Sequence, residues 1–164
     1  MIAGPYQYGG ARALVALHAK YLRAFLVTWR RADDEAVALP VSANPNYASR
    51  EALLAHVLSG AARYLTWMCE KLELPPPNLE ERPDPGSIAA RADEYLEDVL
   101  TAWEGPLHGL TEEVADGPVF ESRWGVPYSI DAMLEHAVMH PIRHAHQLEE
   151  LLAERSGSPD HDHV

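Results

Sequence analysis

The sequence predicts an all-α protein, a four-helix bundle, on three observations. Four stretches carry apolar residues at the three- and four-residue spacing of amphipathic helices. Loops rich in proline, glycine and asparagine separate these stretches. No stretch alternates strictly between apolar and polar residues as a half-buried strand does, and there is no glycine-rich phosphate loop. Four helices of about 20 to 25 residues joined by loops pack as a bundle, and long loops allow connections other than up-down-up-down.

The composition is that of one globular domain. The chain has 164 residues, of which 47% are apolar and 23% are charged, and this length supports one sizeable core. We expect residues 1–155 to form a single helical domain, because no linker divides them. Residues 156–164 have little to bury and are expected to form a flexible C-terminal tail.

The net charge and the cysteine count indicate which partners and which cellular compartment are favoured. A formal net charge of −12 repels polyanions, so nucleic acid and anionic membrane surfaces are disfavoured as partners. Cys69 is the only cysteine, which excludes an intrachain disulfide and favours a reducing compartment. The N-terminus lacks the pattern of a secretory signal, and no apolar run approaches the roughly 20 residues of a membrane span. The sequence thus predicts a cytoplasmic protein.

The first predicted helix runs from about Gly10 to Arg31. Its apolar face is expected to contain Leu14, Leu17, Tyr21, Leu22, Phe25 and Trp29. His18 lies in the middle of this stripe. We interpret it as a core histidine with one hydrogen-bond partner, with a pocket-lining residue as the alternative.

The second predicted helix begins after Ser49, whose side chain is suited to cap it, and ends near Glu73. Three consecutive prolines follow, and proline cannot continue the hydrogen-bond ladder. His56 lies about 100° from the centre of the apolar face, on the same edge as Arg63 and Trp67. This helix therefore presents its one histidine at the border of its buried face.

A third helix is predicted from Ser87, as its cap, to about Leu110. Pro106 is expected to kink or close its last turn. Residues 111–127 contain two glycines and two prolines and are predicted to be a long connection. We expect Phe120 and Trp124 in this connection to fold back over an end of the bundle.

The fourth predicted helix, Ile130 to Ala153 with Ser129 as its cap, is unusually rich in histidine. It holds four of the nine histidines: His136, His140, His144 and His146. On a helical wheel centred on Ile130, His144 lies about 40° and His140 about 80° from the reference. His136, at about 120°, lies at the margin, and His146, at about 160°, faces water. His140 and His144 therefore form an inward-leaning pair.

His140 and His144 have the spacing of two ligands to one divalent metal ion, because residues four apart on a helix lie one turn from each other. A third ligand from a neighbouring helix completes such a set. His56 is the best placed, and His136 and His18 are rivals. Three neutral imidazoles leave a coordination position open, as at catalytic sites. The same spacing also occurs among purely structural histidines.

The segments AHVLSGAARYLTW and EHAVMHPIRHAHQLEELL resemble helices two and four of the DinB/YfiT superfamily of bacterial proteins. Those proteins are four-helix bundles with one histidine in helix two and a His-x3-His pair, followed by glutamine, in helix four. The residues that match are His56, His140, His144 and Gln147. The lead-in WGVPYSIDAMLEH is also similar. This chain departs from the pattern at His146, where many members have glycine, and at Pro141, which predicts a kink between two ligands.

The resemblance implies that His56, His140 and His144 bind a divalent metal, nickel or zinc, with water completing the shell. It also implies a small-molecule enzyme, either a transferase that uses a low-molecular-weight thiol or a hydrolase. The metal would then bind the thiol or a water and lower its pKa. Arg63 is either a residue that holds an anionic group of the substrate or an ordinary surface arginine. Members of the superfamily often pair, which allows a homodimer, and the sequence leaves the oligomeric state open.

Two other functions remain open at the level of the sequence. One is a non-catalytic metal-binding protein that acts in stress or sequestration. The other is a helical interaction domain whose histidines are structural. Cys69 is not expected to take part in a site, because it lies about 140° from His56 on the helical wheel.

Overall fold

The computed structural model describes residues 5–157. The protein is mostly helical, as predicted, and helices account for 67% of the described residues. The helices are α1 (Gly9–Asp34), α2 (Arg50–Lys71), α3 (Pro85–Ile88), α4 (Ala92–Trp103), α5 (Glu112–Asp116) and α6 (Ile130–Gly157). Two short 3-10 turns cover Pro45–Tyr47 and Ala89–Arg91. Within the described residues, no helix combines the length and the apolarity that crossing a membrane requires.

The starts of α2 and α6 are capped by the predicted serines. The Ser49 hydroxyl accepts a hydrogen bond from the backbone N–H of Ala52, and the Ser129 hydroxyl accepts one from that of Ala132, both at 3.1 Å. Each bond satisfies one of the amide groups that a helix start leaves unpaired. α6 continues through Pro141 to Gly157, beyond its predicted end. The rest of the predicted tail, residues 158–164, lies outside the described residues.

The prediction of one continuous third helix from Ser87 to Leu110 is wrong. The first turn, α3, begins at Pro85, and the Ser87 hydroxyl donates to the carbonyl of Asp84 instead of capping a helix start. A 3-10 turn separates α3 from α4, and α4 ends at Trp103. Pro106 explains the early end, because it lacks an N–H and disfavours the helical conformation in the residue before it.

The predicted connection between the third and last helices has structure of its own. It contains α5 and an antiparallel hairpin of β1 (Phe120–Glu121) and β2 (Pro127–Tyr128). Between the strands, the N–H of Gly125 donates to the carbonyl of Ser122, and Gly125 has a φ of +79°. Glycine adopts this left-handed conformation without steric cost. Strands of two residues are too short to produce a periodic pattern in the sequence.

Helix α1 contacts α2, α4 and α6, helix α2 contacts α4 and α6, and the most extensive contact joins α1 to α6. Two tryptophan side chains form hydrogen bonds between helices. Trp103 of α4 donates from Nε1 to the carbonyl of Ala61 in α2 at 3.1 Å, and Trp29 of α1 donates to that of Arg50 at 2.7 Å. Leu17, expected in the buried stripe, is 38% exposed, because the buried face of α1 passes through its neighbour His18 instead.

His18 is a core residue, as interpreted from the sequence, but the expected hydrogen-bond partner is absent among the described residues. Its side chain is buried, and its ring packs against Trp103 with 4.0 Å between ring centroids. Neither ring nitrogen has a hydrogen-bond partner within residues 5–157. Burial lowers the pKa of His18 to about 3, because a charged imidazole cannot be solvated there.

His18 makes the stability of the protein depend on pH. Between pH 6.5 and about 3 the unfolded chain binds a proton at His18 that the folded chain does not, so its contribution to stability is complete above pH 6.5 and is lost as the pH falls. Between pH 7.5 and pH 5, the free energy of unfolding should therefore fall by about 2 kcal/mol less in His18→Leu than in the wild type. Urea denaturation at both pH values measures this difference, and parallel pH profiles of the two proteins would contradict it.

Candidate metal centre

α2 and α6 face each other with two matching rows of side chains. The rows are His56, Gly60 and Tyr64 on α2, and His136, His140 and His144 on α6, each at four-residue intervals that place its members on one helix face. The ring of His56 lies 5.3 Å from that of His144, and the ring of Tyr64 lies 5.2 Å from that of His136. The two helices therefore run in opposite directions along this contact.

The structure brings together the three histidines that the sequence singles out. The Nε2 atoms of His56 and His140 are 3.0 Å apart, and the ring of His140 lies 4.8 Å from both the other rings. One ligand atom from each of the three residues lies within 4.8 Å of the other two. A tetrahedral ion with bonds of 2.0–2.1 Å holds its ligand atoms about 3.3 Å apart, so shifts of about 1.5 Å or less would suffice. The three histidines could hold one metal ion.

The hydrogen bond between His144 and Gln147 supports this fit. The Nδ1 atom of His144 lies 2.9 Å from the amide oxygen of Gln147. Because that oxygen can only accept, Nδ1 carries the proton and Nε2 keeps its lone pair. This Nε2 atom is buried and has no hydrogen-bond partner in the described part of the chain. A buried ligand nitrogen without a partner, on a ring oriented by a second residue, suits a metal ion.

Burial keeps the three imidazoles neutral. Loss of solvent is the main cause that lowers the pKa of His56 to about 4, with smaller contributions from His144, Arg63 and Arg143. Burial also lowers the pKa of His140 well below its usual value, and that of His144 less strongly. Neutral imidazole is the form that binds metal, so protons compete little for these nitrogens near neutral pH.

Gly60 allows His140 to reach this position. A Cβ atom at Gly60 would lie 2.9 Å from Cε1 of His140, closer than real Cβ atoms approach a neighbour, and 3.0 Å from Nδ1, so the ring would have to shift. The ring of His140 therefore rests against the backbone of α2, one turn after His56. The sequence interpretation missed Gly60, although a glycine inside a helix, four residues after a candidate ligand, is a recognisable sign of close packing.

A cavity of about 190 Å³ opens beside His56. The residues that line it are His56, Arg63, Tyr64, Trp67, Arg123, Trp124 and Met133. Arg63, for which the sequence left open a substrate-binding role or an ordinary surface position, thus lies where a molecule next to the histidines would contact it. Two larger grooves, of about 480 and 400 Å³, lie along the loop before α2, and none of the three histidines lines them.

The β-hairpin forms one side of this cavity and is anchored to both helices. Trp67 of α2 donates from Nε1 to the carbonyl of Glu121 in β1 at 3.1 Å. The hydroxyl of Tyr128 in β2 lies 3.4 Å from Nδ1 of His136 in α6. These contacts place Trp124, in the hairpin turn, with its ring 6.3 Å from that of Tyr64. Trp124 thus packs against Tyr64 of α2 and His136 of α6, beside the histidines, and not over an end of the helices as expected.

The remaining predicted site residues lie outside the three-histidine cluster. His136 is half-buried between Tyr128 and Trp124, and its ring stacks 6.4 Å from that of His140. His18 lies in the core against Trp103 and does not line the cavity. His146 is exposed, as predicted, and Cys69 is buried away from the cluster.

Comparison with known proteins finds no relative. No protein-family model matches the chain, and neither a curated protein nor a solved structure matches it. Membership of the DinB/YfiT superfamily therefore stays a prediction from the sequence.

We expect Gly60→Ala to weaken zinc binding at least tenfold, because the new methyl group displaces the ring of His140. A chelator-competition titration measures this, in a background with His161 and His163 replaced by alanine, so that the C-terminal histidines do not bind zinc themselves. Gly9→Ala is the matched control, because a Cβ atom there meets nothing within 4 Å. Unchanged zinc affinity in Gly60→Ala would show that zinc binding does not depend on the close contact between the ring of His140 and Gly60.

Gln147→Leu should weaken zinc binding by about 10- to 100-fold, because the ring of His144 loses the acceptor that orients it. Gln147→Glu keeps an oxygen in the same place and should retain the wild-type affinity. The same titration distinguishes the two variants. Equal zinc affinity in the leucine variant and the wild type would mean that Gln147 does not orient a ligand.

Proposed function

We propose that this protein is a divalent-metal-dependent enzyme of the DinB/YfiT type, built on a four-helix bundle. It acts on a small molecule, either as a transferase that uses a low-molecular-weight thiol or as a hydrolase. The observation that carries the proposal is the meeting of His56, His140 and His144, with a buried His144 Nε2 that has no partner among the described residues. The cytoplasmic location stays a prediction from the sequence, which allows a homodimer and leaves the oligomeric state open.

The ligand set favours zinc or nickel. Imidazole nitrogen suits both ions, and within residues 5–157 the cluster contains no carboxylate, the ligand type that magnesium, calcium and manganese prefer. Such an ion lowers the pKa of a thiol or water in its open coordination position. The three histidines hold the ion, and Gln147 fixes the ring of one of them. Since the ligands are neutral, they leave the two positive charges of the ion uncompensated.

The cavity favours an enzyme over a sequestration protein. A structural or storage site surrounds its metal with protein ligands, whereas a catalytic site leaves room for a reactant. Here His56 is both a proposed ligand and part of the cavity wall. Arg63 lines the same cavity and is suited to hold an anionic group of the substrate. Tyr64, Trp67 and Trp124 give the cavity an aromatic wall that limits the access of water.

The proposal predicts both stoichiometric metal and metal-dependent turnover. With His161 and His163 replaced by alanine, the chain should bind one zinc or nickel ion per protomer and gain thermal stability from it. His140→Ala should lose this ion, because two imidazoles rarely suffice, whereas His146→Ala, at an exposed position on the same helix, should keep it. The loaded protein should consume a low-molecular-weight thiol with an electrophile, or hydrolyse an ester or amide, and His140→Ala should lower that rate at least 100-fold.

Metal content is measured by elemental analysis, and turnover by loss of thiol or release of product. If the chain takes up neither zinc nor nickel, the result contradicts both the proposed metal centre and the proposed enzyme. A fully loaded protein that turns over neither thiol–electrophile pairs nor esters and amides would leave a metal-binding protein without catalysis.

A further inference from the structure

We propose that the cavity beside His56 binds a small aromatic carboxylic acid, with its carboxylate at Arg63 and its ring between the aromatic side chains. This inference rests on the proposed function, because it names the class of small molecule that the same centre accepts.

The charge around the cavity is positive although the protein is acidic. Arg63 and Arg123 line the cavity, and none of the described residues that line it is acidic. Within residues 5–157, Arg63 makes no ion pair with a carboxylate, and its hydrogen bond goes to a backbone carbonyl. With a net charge of −12 over the whole chain, these arginines favour an anionic over a cationic small molecule in the cavity.

The two arginines of the cavity wall have different surroundings. Arg123 is bound to Glu81 at 2.8 Å, and this ion pair lowers the pKa of that carboxyl group. Arg63 donates from Nε to the carbonyl of Ser59 at 3.3 Å, a bond that fixes the base of its guanidinium group. A carboxylate is a planar acceptor that matches the remaining donors of such a group. Glu81 also interacts with Arg63 at longer range but forms its ion pair with Arg123. Arg63 is therefore the better placed of the two arginines to bind an anion.

The walls of the cavity fit a flat ring. The ring of Trp67 is fixed by its hydrogen bond to Glu121, and the ring of Tyr64 packs edge-on against that of Trp124. Trp124 is 47% exposed, which leaves part of its apolar surface uncovered by the protein. Aromatic ligands gain from stacked or edge-on contact with such surfaces. An inorganic anion would leave these surfaces unused, and a quaternary ammonium ion would be repelled by Arg63.

The size of the cavity restricts the ligand to a small molecule. A volume of about 190 Å³ is below the roughly 300–1,000 Å³ of pockets for drug-sized ligands. A single ring with one acidic group fits this limit, and a nucleotide does not. Because the cavity reaches His56, the acidic end of the ligand is held close to the proposed metal ligands.

The test uses the full chain loaded with zinc, titrated with benzoate and phenylacetate and with their neutral amides by isothermal titration calorimetry. At least one of the two acids should bind ten or more times more tightly than its amide. In Arg63→Gln this preference should fall below about threefold while zinc content is unchanged. Trp124→Ala should weaken acid and amide by a similar factor. Arg23→Gln, which removes an arginine paired with Glu97 on the surface, is the matched control and should behave as the wild type.

The outcomes separate this inference from the proposed function. Zinc-loaded protein that binds neither acid more tightly than its amide overturns the inference, and so does a preference that survives in Arg63→Gln. Neither result affects the metal centre. A chain that takes up no zinc but binds an acid through Arg63 supports the cavity assignment and overturns the proposed metalloenzyme.

Discussion

The candidate site depends on the close approach of α6 to α2 at Gly60, where the ring of His140 rests against the backbone of the facing helix. This contact places the Nε2 atom of His140 3.0 Å from that of His56, with the ring of His140 buried and that of His56 half-buried. The burial in turn lowers the pKa of each imidazole, so the cluster is neutral and able to bind metal. Packing, protonation state and ligand geometry thus follow from one contact between two helices.

The surroundings of the cluster divide into two sides with different roles. On one side Gln147 accepts a hydrogen bond from His144 and orients its ring, next to Tyr47 in the loop before α2. On the other side the cavity carries Arg63 and the aromatic wall. The hairpin forms part of that wall and is anchored to α2 through Trp67 and to α6 through Tyr128. The element that covers the cavity is therefore held by the same two helices that supply the histidines.

The fold was predictable where a local pattern determines it. The caps at Ser49 and Ser129 and the apolar stripes of α2 and α6 are local features, and the structure shows both helices near their expected bounds. The break between α3 and α4 and the hairpin were missed, because short elements depend on neighbours more than on periodicity. Leu17 was misplaced because the partners of α1, unknown from the sequence, select which face is buried.

The sequence by itself determined that His140 and His144 share one helix face, because a spacing of four residues is a property of the helix alone. It also marked His56 as a candidate third ligand through its position on a helix edge. Only the tertiary structure decided that His56 meets the pair, since 84 positions separate it from His140. The contact at Gly60, the cavity and the place of Trp124 were likewise decided by packing, because each joins residues from elements far apart in the chain.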